Sequence, residues 1–443
     1  MHLLPKFLTH NSRASRQVYL DNNATTRPHE WLVQYIAKMD KTVYANASSG
    51  HSMGKYAHNI LEWSKREIGR CLKIDHPQSE LLFTSGATES NNMLIQGFVD
   101  KQYETFSSVP NHQGVRCHLI MTCIEHPSVS ETCKTMALKY PGKVKLHEIP
   151  VHPMTGLLNL NALQQVLNDI ANKPPSSSKH LPRILICVIQ ANNEIGTIQD
   201  MQAIHNIVRR QGLRSRTHIH ADATQMAGKW PCSVSHIDSL SFSGHKFHAV
   251  KGVGGLYVKS QKTRHIAPRV FGGMQEKLRS GTLALPLILS MALAMQYNLH
   301  SERVKVTLQK MHGNEQLLLN ALRSNGVSFR TNGPRAPTAN HAPPPQNWLR
   351  MPGSMSLTLL LPISVSSSLK PSQLRDYLDK RGILVTTGSA CNHSAESHVL
   401  KAMGVSKLEQ RTTIRVGQSF LTSQVDMIRL AKAISDFVKR VSN

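Results

Sequence analysis

Two hydrophobic periods alternate along the chain. Short apolar runs predict strands at 81–83, 119–123, 144–149, 184–189, 218–221, 237–242 and 256–258. Between several of them the apolar positions recur at helical spacing, as with Ile60, Trp63, Ile68 and Leu72 in 55–72, and again in 127–139, 160–171 and 201–211. Strand–helix alternation of this kind predicts an α/β fold: a mostly parallel sheet covered by helices on both faces, with ligands at the carboxyl ends of the strands. From 285 the texture changes. A long helical stretch (285–322), strands near 356–361 and 383–386, and helices at 371–380 and 422–441 predict a smaller α+β unit. The expected division is a basic leader at 1–17, a large domain at 36–284, and a small domain formed by 18–35 with 285–443. Within it 334–349 is a Pro-rich surface loop.

Composition narrows this little. The chain has 443 residues, 40% hydrophobic and 18% charged, enough for a large core in an ordered protein. Its 52 basic and 27 acidic residues give a net charge of +25, which favours anionic ligands. The basic residues are dispersed, without a zinc-finger spacing or an aromatic–basic motif, so no specific nucleic-acid partner is expected. No apolar run approaches the ~20 residues that span a bilayer, so no membrane partner is expected. Seven cysteines without a C-x-x-C pair point to a reducing compartment. The leader holds Lys6, Arg13 and Arg16 and no acid, which leaves the cytoplasm and the mitochondrial matrix both open.

Chemistry gathers where strands end. Ser243-Gly244-His245-Lys246 closes one strand with small polar groups and a lysine, suited to a small anion or to a Schiff base with pyridoxal phosphate. Taken alone it reads first as a solvated lysine in a turn, as most lysines are. Asp222-Ala223-Thr224-Gln225 ends another strand, with a carboxylate that could pair with a pyridine nitrogen or cap a helix. Residues 84–92 put small side chains at a helix start, where free N–H groups favour a phosphate. Glu125-His126 offers an imidazole, Asn192-Asn193-Glu194 a turn of amides, and Arg279-Ser280-Gly281-Thr282 a charge and hydroxyls.

Together these motifs, with Asp21-Asn22-Asn23-Ala24-Thr25-Thr26, Asn46-Ala47-Ser48-Ser49-Gly50-His51 and Thr387-Gly388-Ser389-Ala390-Cys391, resemble the cysteine desulfurase and selenocysteine lyase branch of the class V aminotransferases. Those are fold type I enzymes dependent on pyridoxal phosphate. The match runs in family order from 18 to 420. The resemblance implies that Lys246 holds the cofactor's aldehyde and later moves the substrate's α-proton. It implies that Asp222 pairs with the pyridine nitrogen, that Gln225 bonds the phenolic oxygen and that His126 stacks on the ring and handles protons. Ala87 (through its N–H), Thr88, Ser243 and His245 would hold the phosphate. Thr282 would reach the phosphate of a neighbouring subunit, which implies a homodimer. Asn193 and Arg415 would take the carboxylate of L-cysteine or L-selenocysteine, for which the guanidinium fork is suited.

Cys391 lies in a small, polar segment, unlike the other cysteines, and the resemblance makes it the nucleophile that takes sulfur as a persulfide. An iron–sulfur scaffold or similar protein would then be the acceptor. With only His393 beside it, Cys391 makes no metal site. The chain departs from the family in three places. Only Lys277-Leu278 separates Glu276 from Arg279, 392–398 is shorter than in the housekeeping desulfurases, and Val416-Gly417-Gln418-Ser419 follows the arginine. The expected function is a cysteine desulfurase. The alternatives are a selenocysteine lyase or a catalytically reduced, basic binding protein of the same fold.

Overall fold

The computed structural model describes residues 17–107, 114–172, 181–273, 278–335, 349–387 and 396–442. The expected leader, the middle of the Pro-rich loop and Cys391 therefore lie outside the described residues. In chain order the strands are β1 (Val18–Tyr19), β2 (Leu81–Thr84), β3 (Cys117–Thr122), β4 (Val144–Ile149), β5 (Arg183–Ile189), β6 (Thr217–Asp222), β7 (Ser239–Ser243), β8 (Gly254–Val258), β9 (Phe329–Asn332), β10 (Ser354–Leu359), β11 (Ile383–Leu384) and β12 (Thr413–Gly417).

Seven of them form the large sheet, in the order β2-β8-β7-β6-β5-β3-β4. Alternation builds both of its faces. In β5, Ile184, Ile186 and Val188 join one apolar cluster and Leu185 and Cys187 the opposite one. In β2, Leu81 and Phe83 face one way and Leu82 the other. Strands covered on both faces can be apolar throughout, which is why Arg183–Ile189 reads as a continuous run.

Every neighbouring pair is parallel except those made by β8, which is antiparallel to β2 and β7. Thr84, Asp222 and Ser243 therefore come out at one edge. An antiparallel neighbour needs no crossover helix, so the link from β7 to β8 folds back on itself. Lys246 sits in that link, in a short 3-10 turn spanning Gly244–Lys246.

The smaller unit has the antiparallel sheet β12-β10-β9 and the pair β1-β11. Its apolar cluster takes Val18 and Leu20 from the start of the chain and Leu430 and Phe437 from the last helix, Gln424–Ser442. The expected division is moved by the clusters. Leu285–Asn298 packs into the large unit's core, and the next helix, Ser301–Ser324, gives Val304 and Leu308 to that core but Leu318 and Leu322 to the smaller one. Leu32 also belongs to the larger cluster. We therefore place the division inside Ser301–Ser324, not at 284/285.

The single helix expected over 285–322 is broken, with His300 in an extended conformation. Asn298 turns its amide to other segments at the break, donating to the carbonyls of Phe247 at 2.7 Å and Gly228 at 3.1 Å. Between the units runs 20–26, held by Asn22 to the Gly417 carbonyl and by Thr26 to the His245 carbonyl.

Gly254 is where β8 touches the turn after β2. A Cβ there would lie 2.5 Å from Gly86 Cα and 2.7 Å from the Phe242 carbonyl oxygen, and neither backbone can retreat. Gly254→Ala should cost about 1–3 kcal/mol in chemical denaturation, as overpacking does. It should also displace the Gly86 turn.

Candidate active site

One cavity of about 480 Å³ opens at the carboxyl edge of the sheet. It is lined by every candidate residue named from the sequence except Thr282, which is exposed elsewhere, and Cys391, which lies outside the described residues.

Lys246 points its Nζ into the segment between the units, donating to the carbonyls of Asn23 at 3.0 Å and Ala24 at 2.7 Å. Asp222, at the end of β6, is 3% exposed. Its Oδ1 accepts from the Thr224 amide and hydroxyl, and its Oδ2 accepts from Asn91 Nδ2 at 3.0 Å. It makes no ion pair among the described residues.

Asn91 lies within 84–92, where the sequence assigns it no role, and it organises this wall. Its Nδ2 also donates to Ser128 Oγ, while its Oδ1 receives Ser241 Oγ and His220 Nε2. Because Nδ2 faces Asp222, Oδ1 must face His220, so His220 carries its proton on Nε2 and accepts at Nδ1 from Ser239 Oγ. A polar residue on a helix face turned inward was the available signal.

His126 caps the helix Pro127–Lys139. Its Nδ1 accepts from the Ser128 amide at 3.1 Å and from the Ser128 hydroxyl at 2.9 Å, whose oxygen is already filled by Asn91. Burial lowers its pKa, the nearby Lys246 and His398 lower it further, and Asp222 opposes them. Neutral His126 therefore presents an Nε2–H. Beneath it, burial pushes the Glu125 carboxyl up to about 8, with Oε1 held by Thr122 and the Ile189 amide.

At the other end, Ala87 starts the helix Ala87–Ser107, with Thr88 beside it. Thr84 Oγ1 and Glu89 tie the preceding turn, and Arg279 holds Glu89 at 2.9 Å. Ser243 and Lys251 line the same end. His245 bonds Thr25 at 3.0 Å, and burial followed by Lys246 brings its pKa down to about 4.

Asn193 and Arg415 form the third wall. Arg415, 2% exposed, bonds Asp21 Oδ1 at 2.6 Å and the Asn193 carbonyl at 3.3 Å. Its buried Nε has no partner among the described residues. The Asn193 turn is clamped from outside, because Met351 N bonds the Gly196 carbonyl and Ile198 N the Leu349 carbonyl.

The donor set fits pyridoxal phosphate. A buried carboxylate without a cation calls for a positive group in the ligand, which a pyridinium supplies. A helix start flanked by Ser243 and Lys251 suits a phosphate, and an amine stands between the two. The fold and the site thus define a fold type I enzyme dependent on pyridoxal phosphate.

The chain belongs to the class-V aminotransferases, whose family model matches residues 18–342. A cysteine desulfurase IscS of Rickettsia akari is 30% identical over 416 residues, 93% of this chain and 88% of that protein. Among solved structures, a NifS-like protein has a TM-score of 0.75 at 29% identity, covering 96% of this chain and all of that one. SspA in complex with cysteine has 0.67 at 27%, covering 90% and 98%. The enzyme readings therefore stand over the catalytically reduced binding protein.

The buried neutral histidines set a pH dependence. Burial lowers His218 and His220 to about 3, from an ordinary value of 6.5. Between those values the unfolded chain binds more protons than the folded one. Stability should therefore fall as pH drops from about 6.5 toward 3, by at most about 1.4 kcal/mol per pH unit for each histidine. Denaturation at stepped pH should show this slope, and His220→Asn should remove one histidine's share.

Proposed function

We propose that the chain takes L-cysteine to L-alanine and keeps the sulfur as a persulfide on Cys391, for delivery to an acceptor. The chain is a cysteine desulfurase. The observation that carries the reading is a single cavity with an amine, an unpaired buried carboxylate and a guanidinium fork on its three walls.

Lys246 would hold the cofactor's aldehyde carbon, Asp222 its pyridine nitrogen and Gln225 its phenolic oxygen. Ala87, Thr88, Ser243 and His245 would hold its phosphate. What pyridoxal phosphate supplies there is an electron sink for charge leaving the substrate's Cα. Arg415 and Asn193 orient the substrate by its carboxylate. The Lys246 amine, once freed by the substrate's own amine, takes the Cα proton at Nζ. His126 presents its Nε2–H to the cavity as a hydrogen-bond donor. The Cys391 thiolate attacks the substrate sulfur. An S–S bond forms and the C–S bond breaks, its electron pair passing to Cβ, which takes a proton to become the alanine methyl.

The described residues on either side of Cys391 support its role. Thr386 pairs with Arg415, and Ser397 Oγ donates to the buried Glu194 at 2.6 Å, so both flanks are tied to the carboxylate-binding wall. Thr282 stands exposed, which suits a residue that completes a partner's phosphate site, and we infer a homodimer. An iron–sulfur scaffold or another thio-cofactor assembly protein is the inferred acceptor. Six described cysteines are free thiols, in keeping with a reducing compartment, the cytoplasm or the mitochondrial matrix. No helix among the described residues is long and apolar enough to cross a membrane.

The decisive measurement is alanine release from cysteine and from selenocysteine. Cys391→Ala should lose cysteine turnover; full activity there would refute the persulfide role. Lys246→Ala should lose the visible absorption of the covalently held cofactor, and a wild-type protein without that band would refute the enzyme reading. Arg415→Ala should raise KM for cysteine roughly 10- to 100-fold, the worth of one charged hydrogen-bonded contact, more than it changes kcat.

A further inference from the structure

Lys229 follows Gln225 by four positions, in tight turns that leave β6. The Ala227 amide bonds the Ala223 carbonyl, and the Trp230 amide bonds that of Met226. Those turns put residues four apart on one side, and Lys229 Nζ donates to Gln225 Oε1 at 2.6 Å. The other end of the same amide, Gln225 Nε2, donates to the Asn23 carbonyl at 2.9 Å. That carbonyl also receives Lys246 Nζ at 3.0 Å. Lys229, Gln225, Asn23 and Lys246 thus form one hydrogen-bonded chain ending at the cofactor lysine.

The turn cannot shift easily. Gly228 has φ +74, and a Cβ on it would lie 2.5 Å from the Phe247 ring. Lys229 and Lys246 also face a second, small cavity of about 50 Å³, whose lining includes no carboxylate. Lys229 makes no ion pair among the described residues. Burial, and after it the charges of Lys246 and Arg415, hold its amine well below the usual lysine range.

A glutamine amide has one accepting and one donating end, and which way it faces is set by its neighbours. The Asn23 carbonyl can only accept, so Gln225 gives it the NH₂ end and leaves Oε1 to the Lys229 amine, which donates to it. We propose that Lys229 is a positioning residue for the cofactor: by holding Gln225 Oε1 it keeps the Gln225 NH₂ toward Asn23 and the main cavity. One hydrogen of that group then serves the Asn23 carbonyl and the other is free for the phenolic oxygen. The proposal rests on the reading of Gln225 given above.

The test is the absorption spectrum of the purified holoenzyme at fixed pH. The ratio of the long-wavelength to the near-ultraviolet band of the bound cofactor reports the hydrogen bond at its phenolic oxygen, and a merely structural lysine would not move it. Gln225→Ala should change this ratio roughly 2- to 10-fold, the worth of one neutral hydrogen bond. Lys229→Met, close to lysine in length, should move it in the same direction. The double variant should add nothing to Gln225→Ala, and Lys229→Arg, which keeps an N–H donor, should return the ratio toward wild type. An unchanged ratio in Lys229→Met, or the same shift with and without Gln225, would overturn the proposal. A silent Gln225→Ala would overturn the Gln225 assignment beneath it. Should Lys229→Met fold poorly, Lys229→Leu, which also lacks a donor, carries the same comparison.

Discussion

The site depends first on a carboxylate kept without a cation. Asp222 is buried at the end of β6 and, among the described residues, its carboxylate receives hydrogen bonds from the neutral groups Thr224 and Asn91. Neutral donors hold the carboxylate without supplying a positive charge, so that attraction is left for a ligand. Asn91 can do this only while His220 and Ser241 occupy its oxygen. One misplaced proton on His220 would turn the amide round and present an oxygen to Asp222. Burial of His218 and His220 is therefore part of the site's chemistry as well as of its stability, since it keeps both rings neutral.

The second constraint is covalent. Residues 20–26 leave the smaller unit, cross the cavity and enter the larger one, and Lys246, Gln225 and His245 all work against this segment. Lys246 binds the carbonyls of Asn23 and Ala24, Gln225 binds that of Asn23, and His245 binds Thr25. Asp21, just upstream, holds Arg415 from the smaller unit. Cofactor end and carboxylate end are thus joined by one tight turn, from Asp21 to Thr25. A relative shift of the units would move both.

Much of this was legible in the sequence, and for identifiable reasons. The sheet showed because strands buried on both faces read as apolar runs, as in Arg183–Ile189, and the helices because one face is apolar, as in Ser52–Leu72. Lys246, Asp222 and His126 showed because they stand at strand ends among small residues. What did not show was the layer behind them. Asn91, Ser128, His220 and Lys229 act through partners 37 to 150 positions away or through a turn's exact path, as Asn91 does with Ser128 and Ser241. The break at His300 was hidden for a related reason, since Asn298 satisfies the carbonyls of Gly228 and Phe247, and no local pattern records that.

The same layer decides which way protons can move. His126 has its Nδ1 closed by two donors of Ser128, and Ser128 is itself closed by Asn91. From this state His126 presents Nε2–H as a hydrogen-bond donor; to take a proton it would have to break both bonds at Nδ1, and burial and the nearby Lys246 disfavour the imidazolium that would result. In the proposed reading the substrate's proton therefore falls to Lys246. The link runs from Asp222 through Asn91 and Ser128 to His126, so the carboxylate proposed to meet the pyridine ring and the imidazole beside it belong to one hydrogen-bonded network.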